Sequence, residues 1–213
     1  MLPGMHISWH GHYTIKLQSG DTTIVIDPHS SDTGLSAFRA KANIVALSNP
    51  ADASMSQVSG IQGEPVVLSS PGEYALQGLT LHALGWHDAA GNERSLQRWQ
   101  IEDIVLLYVG ALDRDMTDVE LQELEKTNID VLLVPVGGGS GLTTKAALSL
   151  VSKIEPRIVI PMHYELPGLK EKLEPVDQFA KEMGVNPAKR EQKVILKQKN
   201  IPQDELATVL LMP

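Results

Sequence analysis

The chain has 213 residues, a formal net charge of −8 and no cysteine. Single domains often reach about 200–250 residues, so the sequence predicts one domain over residues 1–213. The absence of cysteine excludes disulfide frameworks, thiol nucleophiles and every cysteine-based zinc site. Acidic side chains repel phosphate backbones, and aromatic residues are only 4% of the chain. Nucleic-acid partners are therefore not expected.

No membrane partner is expected either. The longest uninterrupted apolar run covers residues 104–109, about six residues against the ~20 that a membrane-spanning helix needs. The first residues, MLPGMHISWHGH, lack a basic region followed by an apolar stretch, so no secretory signal is predicted. The expected location is the cytoplasm.

The first half of the chain has the composition of short strands separated by turns. The turn signals include Ser19-Gly20-Asp21 and Gln77-Gly78. The predicted strands cover residues 6–9, 13–17, 22–26, 44–47, 65–68 and 79–86. The apolar run at residues 104–109 predicts a strand that is covered on both faces.

Strands and helices alternate in the second half. The predicted helices cover residues 117–126, 143–154 and 176–183, and the predicted strands cover residues 129–136, 157–161, 194–197 and 208–212. Thr117 and Glu120 have the spacing of a capping box at the start of the first helix. This order predicts a layered α/β fold, with packed sheets and helices on the outer faces.

Histidines that follow predicted strands are the first candidates for chemistry. His163 lies at the C-terminal end of a strand, where sites in α/β layers collect, although a histidine with satisfied core hydrogen bonds fits equally well. His87 precedes Asp88 after another strand, and the pair reads either as an oriented imidazole or as a turn. His10 and His12 have the spacing of a metal pair on one strand face, but the glycine between them favours a structural turn.

Residues 137–141, with the sequence GGGSG, precede a predicted helix. Successive glycine amides at a helix N-terminus can hold an anion, and a plain strand-to-helix turn is the competing interpretation. No Gly-Lys-Ser/Thr follows, so the segment is not a Walker loop. Residues 27–29, Asp-Pro-His, end another strand and are a weaker candidate. Gly72-Glu73 is interpreted as a turn.

Six short segments occur in an order that is characteristic of one family. They are residues 9–12 (WHGH), 24–28 (IVIDP), 71–74 (PGEY), 87–88 (HD), 135–138 (PVGG) and 160–164 (IPMHY). Together they resemble the metallo-β-lactamase superfamily, in the branch of metal-dependent hydrolases similar to ascorbate-6-phosphate lactonase. The resemblance implies a four-layer αββα sandwich, with the site at one edge of the two sheets.

The metal-ligand positions of that family are largely replaced in this chain. The family signature is Thr/Ser-His-x-His-x-Asp-His, and the corresponding residues 48–54 read SNPADAS. The positions that the signature fills with histidine or aspartate are Asn49, Ala51, Ala53 and Ser54. A second signature, Gly-Asp, supplies a carboxylate that bridges two metal ions, and here it is Gly110-Ala111. Of the family ligand positions, only His87 and His163 keep histidine.

Two functional hypotheses follow from these replacements. A catalytic zinc needs about three protein ligands and an open position, and alanine has no lone pair to offer. The first hypothesis is therefore a non-catalytic scaffold that has lost its dinuclear metal site and needs no cofactor. It would bind a small anionic ligand at the former active-site positions, with residues 137–141, or act as a partner subunit. The alternative is a hydrolase with a rebuilt mononuclear site, which would use zinc, or a metal-free site, on His87 and His163.

Overall fold

Two β-sheets with one apolar core between them form the centre of the fold, which a computed structural model describes over residues 4–203 and 205–213. The core includes Ile7 and Ile24 from the first sheet and Leu81 and Trp99 from the second, all at most 3% exposed. Alternate residues of these strands point into the core, as expected for sheets with one buried face.

The first sheet has six strands, which are β1 (Met5–Trp9), β2 (Ile15–Ser19), β3 (Thr22–Ile26), β5 (Ile44–Ala46), β7 (Val66–Leu68) and β14 (Val194–Leu196). Their spatial order is β14-β1-β2-β3-β5-β7. The strands from β14 to β3 pair antiparallel, whereas β3, β5 and β7 run parallel. Two further short strands, β4 (Ala40–Lys41) and β6 (Ile61–Gln62), pair with each other.

The second sheet has seven strands, which are β8 (Gly72–Leu76), β9 (Leu79–His87), β10 (Glu93–Ile101), β11 (Ile104–Tyr108), β12 (Val131–Pro135), β13 (Ile158–Met162) and β15 (Ala207–Thr208). Their spatial order is β15-β13-β12-β11-β10-β9-β8. The strands from β8 to β11 form an antiparallel meander. The strands β11, β12, β13 and β15 are parallel and carry the α-helical crossovers.

Three α-helices are present in the described residues: α1 (Asp118–Glu125), α2 (Thr144–Ile154) and α3 (Asp177–Glu182). The helix α2 packs against β12 and contacts both α1 and α3. The predicted capping box is confirmed, because Thr117 accepts from the Glu120 amide and the Glu120 carboxylate accepts from the Thr117 amide. No helix of the described chain has the length and apolar character required to cross a membrane.

The outer face of the first sheet is covered by loops and short 3-10 turns rather than by α-helices. Phe38, Ala42 and Ile61 pack there against Val25 and Val45. These covering residues come from the segment around β4 and β6, which also contains the 3-10 turns Ser31–Thr33 and Val58–Gly60. The layered α/β class is therefore confirmed, and short turns replace a long α-helix over this sheet.

Two of the longer strands of the second sheet differ from the sequence prediction. Gly72-Glu73, interpreted as a turn, begins the edge strand β8. The strand β10 was not predicted, because Arg94, Gln97 and Arg98 interrupt its apolar pattern. Trp99 in this strand is nevertheless 1% exposed, because its side chain packs in the apolar core.

The strand directions bring several chain segments to one edge of the two sheets. In the first sheet, β3 and β5 end there, and the turn before β2 lies beside them. In the second sheet, β9, β11, β12 and β13 end at the corresponding edge, where β10 begins. The Ser95 amide donates to the Ser48 carbonyl at 2.8 Å, which joins the two sheets at this edge.

Candidate metal centre

Three side chains that can bind a metal ion meet at this edge: His12, His163 and Glu171. One ligand atom from each lies within 4.8 Å of the others. Glu171 Oε2 lies 3.1 Å from His163 Nε2 and 3.7 Å from His12 Nε2. Both histidines are buried, whereas the Glu171 side chain keeps 29% of its exposure. The cluster is thus a pair of buried imidazoles under a carboxylate that reaches solvent.

The backbone at both histidines is unusual. His12 and His163 each have a φ of 49°, in the left-handed region that residues other than glycine rarely adopt. His12 follows Gly11, whose own φ is 88° and whose carbonyl accepts from the Thr14 amide at 3.0 Å. Such conformations cluster at functional sites, because the surrounding structure must hold them in place. The tight turn therefore presents the His12 ring to His163.

The glycine-rich segment 137–141 holds the carboxylate of the cluster. The Ser140 amide donates to Glu171 Oε1 at 2.7 Å, and the Ser140 hydroxyl lies 3.3 Å from Glu171 Oε2. A Cβ atom at Gly139 would lie 2.3 Å from Glu171 Oε1, so the glycine makes room for the carboxylate. The anion held by this turn is a side chain of the protein itself.

Tyr13 fixes the plane of the His163 ring. The two rings are stacked, with centroids 4.0 Å apart and an interplanar angle of 13°. The Tyr13 hydroxyl lies 3.2 Å from Ser140 Oγ, and Tyr13 is fully buried. The Tyr108 hydroxyl donates to the Tyr13 carbonyl at 2.9 Å, which secures the backbone of the same residue.

The protonation states of the cluster suit a metal site. Burial acts to raise the pKa of Glu171, but contacts with His12 and His163 and the Ser140 amide outweigh it and hold this pKa well below its usual range. Burial lowers the pKa of His163, which favours the neutral imidazole. Metal ions bind carboxylates and neutral imidazoles, so neither group must lose a proton near neutral pH.

A buried carboxylate at the same sheet edge, Asp27, connects the loop after β5 to the core. It accepts hydrogen bonds from the Ser48 amide at 2.7 Å, from the Ser48 hydroxyl and from the Tyr108 hydroxyl at 2.6 Å. Burial raises the pKa of Asp27 to about 7 against the opposing effect of these bonds. Asp27 therefore anchors the segment that carries the family signature positions.

The signature positions themselves lie at the same edge but form no ligand set. Asn49 and Ala111 are buried, Ser54 is half-buried, and Ala51 and Ala53 are exposed. The loop is a closed turn, in which the Ser54 amide donates to Asp52 Oδ1 at 2.8 Å. These side chains offer at most an amide and a hydroxyl to an ion.

His87 does not join His163. His87 is exposed at the end of β9, and three strands of the sheet separate β9 from β13. Within the described part of the chain, His87 belongs to no group of three potential ligands. Asp88 binds Arg94, with an oxygen-to-nitrogen distance of 2.8 Å, and caps the hairpin through Asn92. The turn interpretation of this pair is therefore confirmed.

From the sequence, His12 was considered only together with His10, as a possible metal-binding pair, and Glu171 was not identified. Glu171 lies in an irregular segment after β13 that has no motif and no periodicity. Its place depends on long-range bonds, such as the Glu174 amide to the Gly137 carbonyl at 2.9 Å. The WHGH segment and the strand-end position of His163 were the local signals that pointed to this cluster.

Comparison with known proteins identifies the family. Residues 6–163 match the profile of a β-lactamase superfamily domain. A 55-residue stretch is 44% identical to a UPF0173 protein of Pyrococcus furiosus, covering 26% of this chain and 24% of that protein. A UPF0173 metal-dependent hydrolase of Lysinibacillus sphaericus is 23% identical over 197 residues, covering 75% of this chain and 85% of that protein.

A solved structure agrees over nearly the whole length. It is a Thermotoga maritima protein assigned to the Zn-dependent hydrolases of the metallo-β-lactamase superfamily. The two structures superpose with a TM-score of 0.79 and 27% sequence identity, and the match covers 97% of this chain and 98% of that chain. The narrower relation to ascorbate-6-phosphate lactonase stays a prediction.

The expectation that this protein needs no metal cofactor is wrong. The relatives from Lysinibacillus sphaericus and Bacillus mycoides are named metal-dependent hydrolases, and the Thermotoga maritima protein is assigned as Zn-dependent. These findings point to a metal cofactor. The expectation was drawn from the replaced signature positions, whereas His12 and Glu171 lie outside the signature and reach His163 from other loops. By profile, relatives and fold, the chain belongs to the metallo-β-lactamase superfamily.

Proposed function

We propose that this protein is a metal-dependent hydrolase whose single metal ion is held by His12, His163 and Glu171. The geometry of these three donors carries the proposal. Ligand bonds of about 2.0–2.1 Å in a tetrahedron place neighbouring donors about 3.3 Å apart. The distances from Glu171 Oε2 to the two Nε2 atoms, 3.1 Å and 3.7 Å, lie on either side of that value.

The chemistry of the donor set supports the same conclusion. Two histidines and one glutamate form a known ligand set of catalytic zinc sites, in which a fourth position stays open for water or substrate. The relatives named metal-dependent hydrolases support both the metal and the reaction class. Glu171 is the ligand nearest to solvent, so the open position would face the side from which a substrate arrives.

A zinc ion bound there would supply a water whose pKa falls to about 7 and which can act as a nucleophile. The protein's own contribution is to hold the three donors in place. The Ser140 amide fixes the Glu171 carboxylate, and the stacked Tyr13 ring fixes the His163 imidazole. The exposed Ser140 hydroxyl lies 3.5 Å from His163 Nε2 and donates to Glu171 Oε2, so it can accept a hydrogen bond from a bound substrate.

The surroundings of the histidines set an upper limit on the affinity. Among the described residues, the buried Nδ1 atoms of His12 and His163 have no hydrogen-bond partner. Histidines that bind metal ions usually donate this second nitrogen to a carboxylate or carbonyl, and the loss of such a partner typically costs about 10–100-fold in affinity. We therefore expect weaker zinc binding than in family members with a complete dinuclear site.

Metal binding tests the proposal directly. Protein treated with a chelator is titrated with zinc in a calorimeter, and the zinc retained after dialysis is measured by elemental analysis. We expect about one ion per chain, and at least about tenfold weaker binding in His12→Ala, His163→Ala and Glu171→Gln. Glu171 is partly exposed, so Glu171→Gln is the variant expected to preserve the fold.

His87→Ala is the matched control, because it removes an exposed imidazole outside the cluster. It should bind zinc as the unmodified protein does. A protein that retains no zinc, or a loss in His87→Ala equal to that in His163→Ala, would contradict the proposal. Hydrolysis of an ester, lactone and phosphodiester panel that returns with zinc and is lost in Glu171→Gln would identify the bond that is cleaved.

A further inference from the structure

A cavity of about 560 Å³ lies beside the turn that carries His12, on a surface that none of the three proposed metal ligands lines. Its lining includes Leu35, Leu166 and Phe38. A Cβ atom at Gly11 would contact the same two leucine side chains, so this turn separates the cavity from the metal centre. The volume lies in the range of pockets that bind small molecules.

The charges around this cavity are unlike those of the protein as a whole. The chain has 26 acidic and 18 basic side chains. The cavity has two cationic side chains in its lining, Lys16 and Arg39, and no acidic side chain among its described lining residues. Lys16 is half-buried, and Arg39 is exposed at the opening. A local excess of positive charge in an acidic protein attracts small anions.

The lining of the cavity includes the aromatic rings of Phe38, His10 and His29. The Phe38 ring lies 4.8 Å from the His10 ring and 6.1 Å from the His29 ring, measured between centroids. His29 Nδ1 lies 2.7 Å from Thr14 Oγ1, and His29 Nε2 lies 3.0 Å from the Ser36 carbonyl, so both of its nitrogens are already used. The buried His29 ring therefore supports the Phe38 ring and has no free nitrogen for a ligand.

The positive charge of the cavity is carried by Lys16 and Arg39. Burial lowers the pKa of His29, which favours its neutral form. The apolar part of the lining comes from other residues, such as Leu35, Leu166 and Phe38. The apolar body of a ligand and its charged group would thus have separate places to bind.

We propose that this cavity binds a small organic anion, whose apolar body contacts Leu35 and Leu166 and the exposed parts of the Phe38 and His10 rings. A carboxylate or phosphate group of the anion pairs with Lys16 and Arg39. The arginine guanidinium matches the geometry of such oxyanions with two parallel donors. The site is distinct from the segment 137–141, where the Ser140 amide already holds Glu171. It does not depend on the proposed metal centre.

Nuclear magnetic resonance with four probes tests the proposal in a buffer that contains a chelator. Phenyl phosphate and benzoate carry both parts of the expected ligand, inorganic phosphate carries only the charged group, and benzyl alcohol carries only the ring. We expect saturable shifts of the His10 and Phe38 ring resonances with phenyl phosphate or benzoate, and at least about tenfold weaker binding of the other two probes. The tighter of the two organic anions identifies the charged group.

Three variants complete the experiment. Lys16→Gln and Arg39→Gln should each weaken binding of the tighter anion about fivefold or more, because each removes a charged hydrogen-bond donor. Lys181→Gln, on the exposed surface of α3, removes the same charge elsewhere and should leave binding unchanged. Absence of a saturable shift with both organic anions would overturn the proposal. So would an equal loss in Lys181→Gln, or shifts confined to His12 and His163.

Discussion

The amide of Ser140 and the Oε1 atom of Glu171 are 2.7 Å apart, although 31 positions separate the two residues along the chain. This bond joins the glycine-rich segment after β12 to the irregular segment after β13. It fixes one carboxylate oxygen and leaves Oε2 facing the two imidazoles. A turn of a type that can hold a bound anion instead positions a proposed metal ligand.

The substitution Gly139→Ala tests this relationship. The new Cβ would lie 2.3 Å from Glu171 Oε1, so the carboxylate must move away from the imidazoles. We expect about tenfold weaker zinc binding by calorimetry. Gly20→Ala is the control, because Gly20 also has a positive φ, 55° against 64°, but a Cβ there meets nothing within 4 Å. Equal zinc affinity in the two variants would contradict the positioning role of this turn.

The stack of Tyr13 on His163 leads to a second prediction. Tyr13→Phe keeps the stacked ring and removes the hydroxyl contact with Ser140, so zinc affinity should stay within about threefold and stability should fall by about 1 kcal/mol. Tyr13→Leu removes the ring surface that holds the imidazole plane, and its zinc affinity should fall further. Calorimetry and thermal unfolding of both variants check this order. If Tyr13→Phe lost as much zinc affinity as Tyr13→Leu, the hydroxyl rather than the stack would orient His163.

Asp27 makes stability depend on pH. Its pKa is raised from 3.8 to about 7 in the folded protein, so between these values the folded state holds one proton more than the unfolded state. The stabilisation is present below pH 4 and is lost as the pH rises toward 7. The free energy of unfolding, relative to Asp27→Asn, should therefore fall by about 1.4 kcal/mol per pH unit across this window.

Urea unfolding of the two proteins at several pH values measures that slope. The absolute stability of Asp27→Asn is not the test, because the amide cannot accept all three hydrogen bonds from Ser48 and Tyr108. The difference between the two slopes isolates the carboxyl group. Parallel pH profiles would show that Asp27 has the same proton affinity in the folded and unfolded states.

The sequence predicted the strands that carry the site better than the site itself. Alternating or continuous apolar runs located β1, β9, β11 and β13, because burial of a strand face leaves a local pattern. The family order of motifs then placed the signature positions at one sheet edge. The strand β10 was not predicted, because Arg94 and Arg98 interrupt its apolar pattern. In the structure, β10 pairs with both β9 and β11.

The proposed set of metal ligands could not be predicted either, because its members come from segments that are distant in the sequence. His163 was found because it ends a strand, but its partners come from a turn before β2 and a loop after β13. Nothing local in the sequence marks Glu171, whose position depends on bonds to the segment 137–141. The left-handed backbone at His12 and His163 is likewise a property of the folded chain.

Restoration of the family ligands provides the last prediction. The combined variant Asn49→His, Ala51→His, Ala53→Asp, Ser54→His and Ala111→Asp supplies the missing donors around the same sheet edge. The turn should survive, because its bonds to Asp52 and the anchor between Asp27 and Ser48 are not replaced. We expect the zinc content after dialysis to rise from about one to about two ions per chain, as in two-metal hydrolytic sites.

The interpretation of this result depends on His163, because this residue occupies a family ligand position and also belongs to the proposed metal site. In the restored variant, His163 should bind the new metal pair, so the further change Glu171→Gln should no longer weaken zinc binding. Elemental analysis and calorimetry with and without that change make the comparison. A folded variant that stays at one ion and still depends on Glu171 would show that the loop of residues 48–54 cannot adopt the family's ligand geometry. Pro50, which fixes its own φ, would then be the first residue to replace.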